Sequence, residues 1–411
     1  MRELGLATQW LRGRRTLPRY LILGMTNLCN SKCVTCFYWD HLNVNRHLEM
    51  SVDDYSRALA DLPSLYSVVL TGGEPTLNRD LPEITKILYR RHQAANITMP
   101  TNSLLPDQVE SIVARALESR GDERQTFTVG LSLDHLGRRH DEIRGAPGNF
   151  PNVVETYRRL SDLKRRRAGL VLNVQTVLAS FNHGELGEIC AWVSANFPEI
   201  DFHSFELLRP PFPDSSIRPL TAEEYGRALA QLKPYWARFD RYRPILRNLK
   251  VAAREAERET LEEERMVYPC YAGSVSGVLN PEGTVSLCEV QWEIGNIREY
   301  GWSFAKAWFS EKAEEMRGRI AKRECWCTHS CFMSSSLPFS VKGLTKLAKT
   351  ALLPSRSAEI PSRREESPEV IEGGASRRGS GSERGSRQAV EPDSASRLPV
   401  REQLPSERPR R

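Results

Sequence analysis

No apolar run in this 411-residue chain approaches the roughly 20 residues that a membrane-spanning helix needs. The N-terminus also lacks the order of a secretory signal. Its short apolar patch within Met1–Leu11 comes before Arg12, Arg14 and Arg15, whereas a signal puts charge first and closes on small residues. These two absences make the cytoplasm the expected compartment. The excess of one sign of charge is small as well: a net charge of +6 makes no case for nucleic acid as a partner. No solenoid-type repeat runs through the chain. From Pro354 to Arg411 there is neither an aromatic residue nor a cysteine, and Arg, Glu, Ser, Pro and Gly dominate. Such a segment buries too little apolar surface to offset its ordering entropy, so 354–411 is expected to be a disordered tail.

What the chain does have is grouped cysteine. Of nine cysteines, Cys29, Cys33 and Cys36 form one group and Cys325, Cys327 and Cys331 another. Cys270 and Cys288 lie between them, and Cys190 stands alone in an apolar helical stretch, as a core residue would. A disulfide scaffold spreads its cysteines through a small domain. Tight groups in a long chain point to metal.

From residue 19 onward, β-like runs alternate with amphipathic stretches. The strands expected are Tyr20–Met25, Ser67–Thr71, Asn96–Pro100, Thr126–Leu133, Leu170–Val177 and Asp201–Leu208. The helices expected between and after them are Val52–Leu62, Leu81–Gln93, Asp107–Glu118, Val153–Arg167, Glu185–Asn196 and Ala222–Trp236, with a capping box at Ser51 and Asp54. This order predicts an α/β fold, a partial (β/α)6 barrel resembling a TIM barrel, whose chemistry sits on the loops after the strands. The expected organisation is an N-terminal extension (1–18), the barrel (19–238), a charged helical connector (239–267), a small cysteine-rich C-terminal domain (268–335), an amphipathic helix (336–353) and the tail. Within the cysteine-rich part, Val278–Asn280, the Pro281-Glu282-Gly283 turn and Thr284–Leu287 read as a hairpin.

Cys29-x-x-x-Cys33-x-x-Cys36 places three thiolates on one loop. A four-iron cluster bound this way keeps one iron free of protein ligands. Tetrahedral zinc is the competing reading, here and at the C-terminal cysteines. The motif that follows the second strand, Thr71-Gly72-Gly73-Glu74-Pro75, lets backbone approach a ligand closely and sets an acidic residue beside it.

Together these motifs resemble the radical S-adenosylmethionine (SAM) superfamily, over roughly residues 19 to 335. The resemblance implies a SAM-binding [4Fe-4S] cluster on Cys29, Cys33 and Cys36. It also implies SAM contacts at Gly72, Gly73, Glu74, Pro75, Asn102 (after Thr101), Ser132 and Asp134. The run His140-Asp141-Glu142-Ile143-Arg144-Gly145 resembles the subgroup with SPASM or twitch extensions, and Arg144 is its candidate for the SAM carboxylate. Gln175 and Glu206 or Arg209 are expected to point toward the same mouth. Thr35 stands where the family often has an aromatic near the adenine, which leaves Phe37 and Tyr38 as the nearby aromatics.

Cys270, Gly283-x-x-x-x-Cys288 and Gly295-Asn296-Ile297 resemble the opening of a SPASM or twitch domain. Only Cys325, Cys327 and Cys331 follow, so one auxiliary [4Fe-4S] cluster is expected on Cys270, Cys288 and two or three of these. His329 is read as a polar loop residue in preference to a ligand.

The resemblance implies reductive SAM cleavage to a 5′-deoxyadenosyl radical that takes hydrogen from a peptide, protein, or lipid- or glycan-type metabolite. It also implies an electron donor of flavodoxin or ferredoxin type. The first strand opens at Tyr20, which weighs against a leader-dependent peptide. Lys342, Lys346 and Lys349 face away from Val341, Leu344, Ala348, Ala351 and Leu352 across 338–353, a pattern that suits either an anionic membrane surface or docking on the protein itself. A non-catalytic iron–sulfur or zinc protein is the alternative from another class.

Overall fold

A computed structural model describes residues 16–239 and 244–352; the expected tail and most of the N-terminal extension lie outside these. Nine strands form one sheet in the order β6-β5-β4-β3-β2-β1-β7-β8-β9. Strands β1 (Tyr20–Thr26), β2 (Ser67–Gly72), β3 (Asn96–Thr101), β4 (Thr126–Ser132), β5 (Leu170–Leu178) and β6 (Phe202–Leu207) all run parallel. Among the described residues β6 has no further partner, so this part of the sheet is an open barrel. β7 (Ser276–Leu279) joins parallel to β1 on the other side, and β8 (Thr284–Ser286) and β9 (Glu293–Asn296) continue antiparallel.

The helices of the barrel are α1 (Val52–Ala58), α2 (Leu81–Arg90), α3 (Pro106–Glu118), α4 (Gly137–Arg144), α5 (Asn149–Arg166), α6 (Leu186–Asn196) and α7 (Ala222–Ala237). The C-terminal part adds α8 (Pro244–Glu262), α9 (Phe304–Trp308), α10 (Glu311–Ala321), α11 (Ser330–Ser336) and α12 (Val341–Leu352). The strands begin and end close to where their β-branched and aromatic runs do. α1 stops four residues short of the expected Leu62, which lies just before Pro63. The expected box is present at its start: Ser51 Oγ accepts from the Asp54 N–H, and the Asp54 carboxylate accepts from the Ser51 N–H.

β1 is buried at every position after Tyr20, as a strand covered on both faces must be. Leu21, Leu23, Val68, Leu70, Ile97, Met99, Val129, Leu131, Leu172 and Val174 form the centre of the core. Large aromatics close its β6 end: His203 stacks on Phe205, with 4.1 Å between ring centroids. Cys190 is buried on α6 in the same core.

The His203 imidazole lies between Thr176 Oγ1 at 2.9 Å and Tyr235 Oη at 2.9 Å. Burial pushes its pKa down to about 3 from an ordinary 6.5. A histidine kept neutral in the fold favours the folded state fully above the unfolded pKa. That contribution is lost as pH falls from 6.5 toward 3, at about 1.4 kcal/mol per pH unit. Urea unfolding followed between pH 7 and pH 4 is therefore expected to show a steeper loss of stability for the native chain than for His203→Asn. Equal slopes would contradict the assignment.

Candidate functional site

The cysteine loop leaves β1 at Thr26 and has no ladder of its own to hold it. Glu49 accepts from the Asn27 N–H at 2.7 Å, and three further neighbours hold the backbone beyond it. First, Gly73 and Glu74, after β2, donate their N–H groups to the carbonyls of Thr26 (2.7 Å) and Leu28 (2.8 Å). Gly72 has φ +114°, and a Cβ on Gly73 would lie 2.3 Å from the Leu28 carbonyl oxygen. The paired glycines are thus required by the approach of the loop's own stem.

Second, the N–H groups of Lys32 and Val34 donate to the carbonyls of Arg144 (3.1 Å) and Ile143 (2.9 Å), at the C-terminal end of α4. Gly145 ends that helix in the left-handed region at φ +56°, and a Cβ there would meet the Lys32 carbonyl at 2.4 Å. Third, Asn43 exchanges two amide hydrogen bonds with the backbone of Cys29.

The remaining residues of the His140–Gly145 run serve the same clamp. Asp141 accepts from the N–H groups of Gly148 and Phe150, both at 2.7 Å. His140 accepts from the Asp134 N–H at Nδ1 and donates to Asn149 from Nε2. Burial pushes its pKa down to about 3, so the ring is neutral in that arrangement. Sequence reading identified the run as a motif; the short helix it forms was not expected.

Glu74 is buried, and its carboxylate is fully engaged. One oxygen accepts from Thr76 Oγ1 (2.6 Å), Thr101 Oγ1 (2.9 Å) and the Thr76 N–H (3.2 Å); the other accepts from the Asn102 N–H at 2.7 Å. Burial raises its pKa despite these bonds. Its side chain fastens the ends of β2 and β3 together, and the motif presents backbone to the mouth. Asn102 in turn donates to Asn30 of the cysteine loop at 2.7 Å. Ser132 is buried at the end of β4, on the next strand.

Asp134, fully buried, faces Arg144, whose side chain is 11% exposed. Arg144 Nε is 2.9 Å from Asp134 Oδ2, yet neither atom has a well-aligned hydrogen-bond partner, so the contact is an ion pair. The other Asp134 oxygen accepts from the Val177 N–H at 2.8 Å. Arg144 Nη1 lies 3.7 Å from Cys33 Sγ. Asp134 therefore positions Arg144, and Arg144 sets positive charge against the cysteines.

The three thiols lie within electrostatic reach of one another, and burial pushes Cys29 up to about 12 and Cys36 up to about 11. Among the described residues no three Cys, His, Asp or Glu side chains are already drawn into a closed metal cage. The donor set nevertheless fits a cluster with one open corner: three thiols on one clamped loop, a buried cation beside them, and the partnerless buried hydroxyls of Ser31 and Ser103. Binding a metal would deprotonate such thiols. Of the aromatics near Thr35, Tyr38 donates to Asn27 Oδ1 and stacks on His41, whereas Phe37 lies beneath the guanidinium of Arg209.

At the C-terminal cysteines, Cys270, Cys288, Cys325 and Cys327 influence one another's ionisation, and burial raises all four. Cys331 differs. Its ionisation is set by Glu289, Tyr20, Glu206 and Arg209 and by none of the other cysteines, while burial pushes it up to about 11. His329 is buried with Nε2 2.5 Å from Glu289 Oε2.

The hairpin turn reaches back to the first loop: a Cβ on Gly24 would lie 2.4 Å from Pro281 Cδ, and Met50 N–H donates to the Pro281 carbonyl at 2.8 Å. Gln175 packs beside Gly130, and Glu206 pairs with Arg254 at 2.6 Å. The Glu206–Arg254–Glu257 network, absent from the sequence reading, depends on Arg254 of α8 reaching Glu206 of β6, which no local pattern signals.

A Gly73→Ala chain is expected to lose about 1–3 kcal/mol from overpacking against Leu28 and to hold less iron on Cys29, Cys33 and Cys36. Thermal unfolding and iron analysis check this. An unchanged melting temperature with full iron would refute the clamp.

A family model for the Radical SAM superfamily matches residues 23–193, and the SPASM model, an iron-sulfur cluster-binding domain, matches residues 270–332. Among characterised relatives, an Fe-coproporphyrin III synthase of Methanosarcina barkeri is 33% identical over 132 residues, 32% of this chain and 31% of the relative. A GTP 3',8-cyclase of Peptoclostridium acidaminophilum is 27% identical over 202 residues, 48% of this chain and 57% of the relative. The chain thus spans about a third to just over half of the length of these relatives. Among solved structures, anSMEcpe with bound AdoMet and Cp18Cys peptide superposes with a TM-score of 0.51 at 17% identity, covering 82% of this chain and 97% of that one. Streptococcus suis SuiB bound to S-adenosylmethionine gives 0.54 at 17% identity, covering 76% and 70%. At these identities the superpositions speak for the fold.

Proposed function

We propose that this chain, which belongs to the radical SAM superfamily and carries a SPASM-type iron–sulfur domain, cleaves SAM reductively and takes hydrogen from a substrate held between its two cysteine regions. The observation that carries this reading is the clamped three-thiol loop with Arg144 against Cys33. When bound, the [4Fe-4S] cluster and SAM supply a 5′-deoxyadenosyl radical.

The chain's own residues do the rest. Cys29, Cys33 and Cys36 would hold the first cluster. The backbone of Gly72–Pro75 faces the SAM amino group, with Glu74 fixing its shape from behind. Arg144, held by Asp134, offers a guanidinium to the SAM carboxylate or to the negative charge of the ligated cluster. Asn102 and Ser132 line the same mouth. Cys270, Cys288, Cys325 and Cys327 suffice for one auxiliary cluster and leave Cys331 facing the interior. A flavodoxin- or ferredoxin-type protein would deliver the electron.

A peptide is the substrate class with most support, since the similar folds include SuiB bound to precursor peptide SuiA and anSMEcpe bound to a peptide. Contact with a membrane has a narrower basis. No described helix is long and apolar enough to span one. α12 docks on α8 through Lys346, 2.6 Å from Glu259, and through Leu347. Its other face still exposes Val341 (82%) and Leu344 (52%) beside Lys342. Flotation with anionic liposomes is expected to retain the full chain and release one lacking 338–411. Equal, negligible retention would remove the membrane from the reading.

After anaerobic reconstitution with iron and sulfide, reduction in the presence of SAM is expected to yield 5′-deoxyadenosine. Cys33→Ala is expected to abolish that product and leave the auxiliary cluster's spectrum in place. Zinc at both cysteine regions with no 5′-deoxyadenosine would overturn the proposal.

A further inference from the structure

Between the two cysteine regions stands one arginine for which the reaction so far has no use. Arg209 follows β6, just beyond Leu208, whose N–H is fixed to the Leu178 carbonyl at 2.9 Å, and just before Pro210 and Pro211. Its backbone is thus held on one side by the sheet and restricted on the other by proline. The guanidinium carbon lies 4.9 Å from the centroid of Phe37, the residue after Cys36. The same guanidinium acts electrostatically on Cys327, Cys331, Glu289 and His329, so its charge is felt at the C-terminal thiols while its ring contact is with the first cysteine loop.

The carboxylates nearest to it are engaged elsewhere. Glu206 pairs with Arg254 at 2.6 Å, and Glu289 with His329 at 2.5 Å. Among the described residues Arg209 makes no hydrogen bond and no ion pair within 4.0 Å; its one short contact is the Phe37 ring. A guanidinium stacked on an aromatic face keeps its N–H edge directed outward. Other arginines of this chain with little exposure, the half-buried Arg159 and the buried Arg254, spend that edge on carboxylates.

We propose that Arg209, stacked on Phe37 between the two cysteine regions, binds a carboxylate of the substrate through its N–H edge and so fixes which substrates enter. A guanidinium matches a carboxylate with two parallel hydrogen bonds. The fixed negative charges of Glu206 and Glu289 disfavour a dianion there, so a singly charged carboxylate suits the place better than a phosphate. Arg209 is a specificity-determining residue in this role, and its proximity to the radical site would place the reacting carbon within a short reach of the anchored carboxylate. The inference rests on the radical SAM reading only for the use of the chamber, not for the anion contact itself.

Calorimetry on the full chain, loaded with both clusters and with SAM present, tests it with three probes of one shape: benzoate, benzamide and phenyl phosphate. Benzoate is expected to bind at least ~10-fold more tightly than benzamide, the scale of a charged hydrogen-bonded pair, and more tightly than phenyl phosphate. Arg209→Gln is expected to erase the benzoate preference. Arg209→Lys, which keeps the charge without the fork, is expected to retain part of it and serves where the glutamine variant fails to load iron. Iron and sulfide contents matching the native chain confirm that each variant is intact. A benzoate preference unchanged in Arg209→Gln, no preference in the native chain, or a preference for phenyl phosphate would each overturn the proposal. The 5′-deoxyadenosine assay is read separately: its failure with the benzoate preference intact removes the radical reading and keeps the carboxylate site, and the converse removes only the site.

Discussion

Everything at the mouth of the barrel depends on hydrogen-bonding a loop that has no regular structure. Residues 27–36 carry three half-buried thiols, and their backbone amides must be satisfied somewhere. The chain solves this with side chains, Asn43 on Cys29 and Glu49 on Asn27, and with backbone groups from two directions: the Gly72–Glu74 turn on one side and the last carbonyls of α4 on the other. Both contacts bring backbone against backbone, which is why glycine stands at 72, 73 and 145. A side chain at any of these positions would occupy the space of a loop carbonyl. The sequence conservatively described as a ligand motif is, in the first instance, a fastening for the thiols.

The same economy governs charge. Glu74, Asp134, Glu206, Glu257 and Glu289 are all buried or nearly so, and each has a specific partner: two hydroxyls and two amides for Glu74, Arg144 for Asp134, Arg254 for Glu206 and Glu257, and His329 for Glu289. Burial of a carboxylate without a partner costs several kcal/mol, of the order of 3–5 for a broken buried pair. The partners are therefore as restrictive as the acids. Burial pushes Glu257 up to about 7 even with Arg254 and Tyr225 against it. Arg144 and Arg254 are consumed in this way, and Arg209 is not, which is what sets it apart.

Local pattern was sufficient for much of this. All six barrel strands could be placed from β-branched and aromatic runs because a parallel sheet buries both faces and leaves continuous apolar stretches. The cysteine loop and the Gly72–Pro75 turn were legible because their spacing is itself the constraint. The resemblance supplied Arg144, but its pairing with Asp134 was not legible, since 134 and 144 meet through the fold of a short helix with little apolar periodicity. β9 was missed for a related reason: Glu293–Asn296 is short, and only Ile294 in it is buried. Cys331 lies on α11, which starts at Ser330, whereas Cys325 and Cys327 lie on the loop before it; the spacing of the three cysteines did not signal that division.

The joining of β7 to β1 has the further consequence that one strand serves both metal regions. Tyr20 at the start of β1 pairs with Ser276 of β7 in the C-terminal part, and Thr26 at its end begins the first cysteine loop. β1 and β7 are paired in register from Tyr20↔Ser276 to Leu23↔Leu279, and the hairpin turn beyond β7 packs onto Gly24. A register slip of one residue would turn the side chains of β7 to the opposite face and drive Pro281 off the glycine that admits it. The distance between the two cysteine regions is thereby fixed by backbone pairing within a single sheet. Both cysteine regions are thus attached to one sheet, and Arg209, on the loop after the edge strand β6, returns to the first of them through its contact with Phe37.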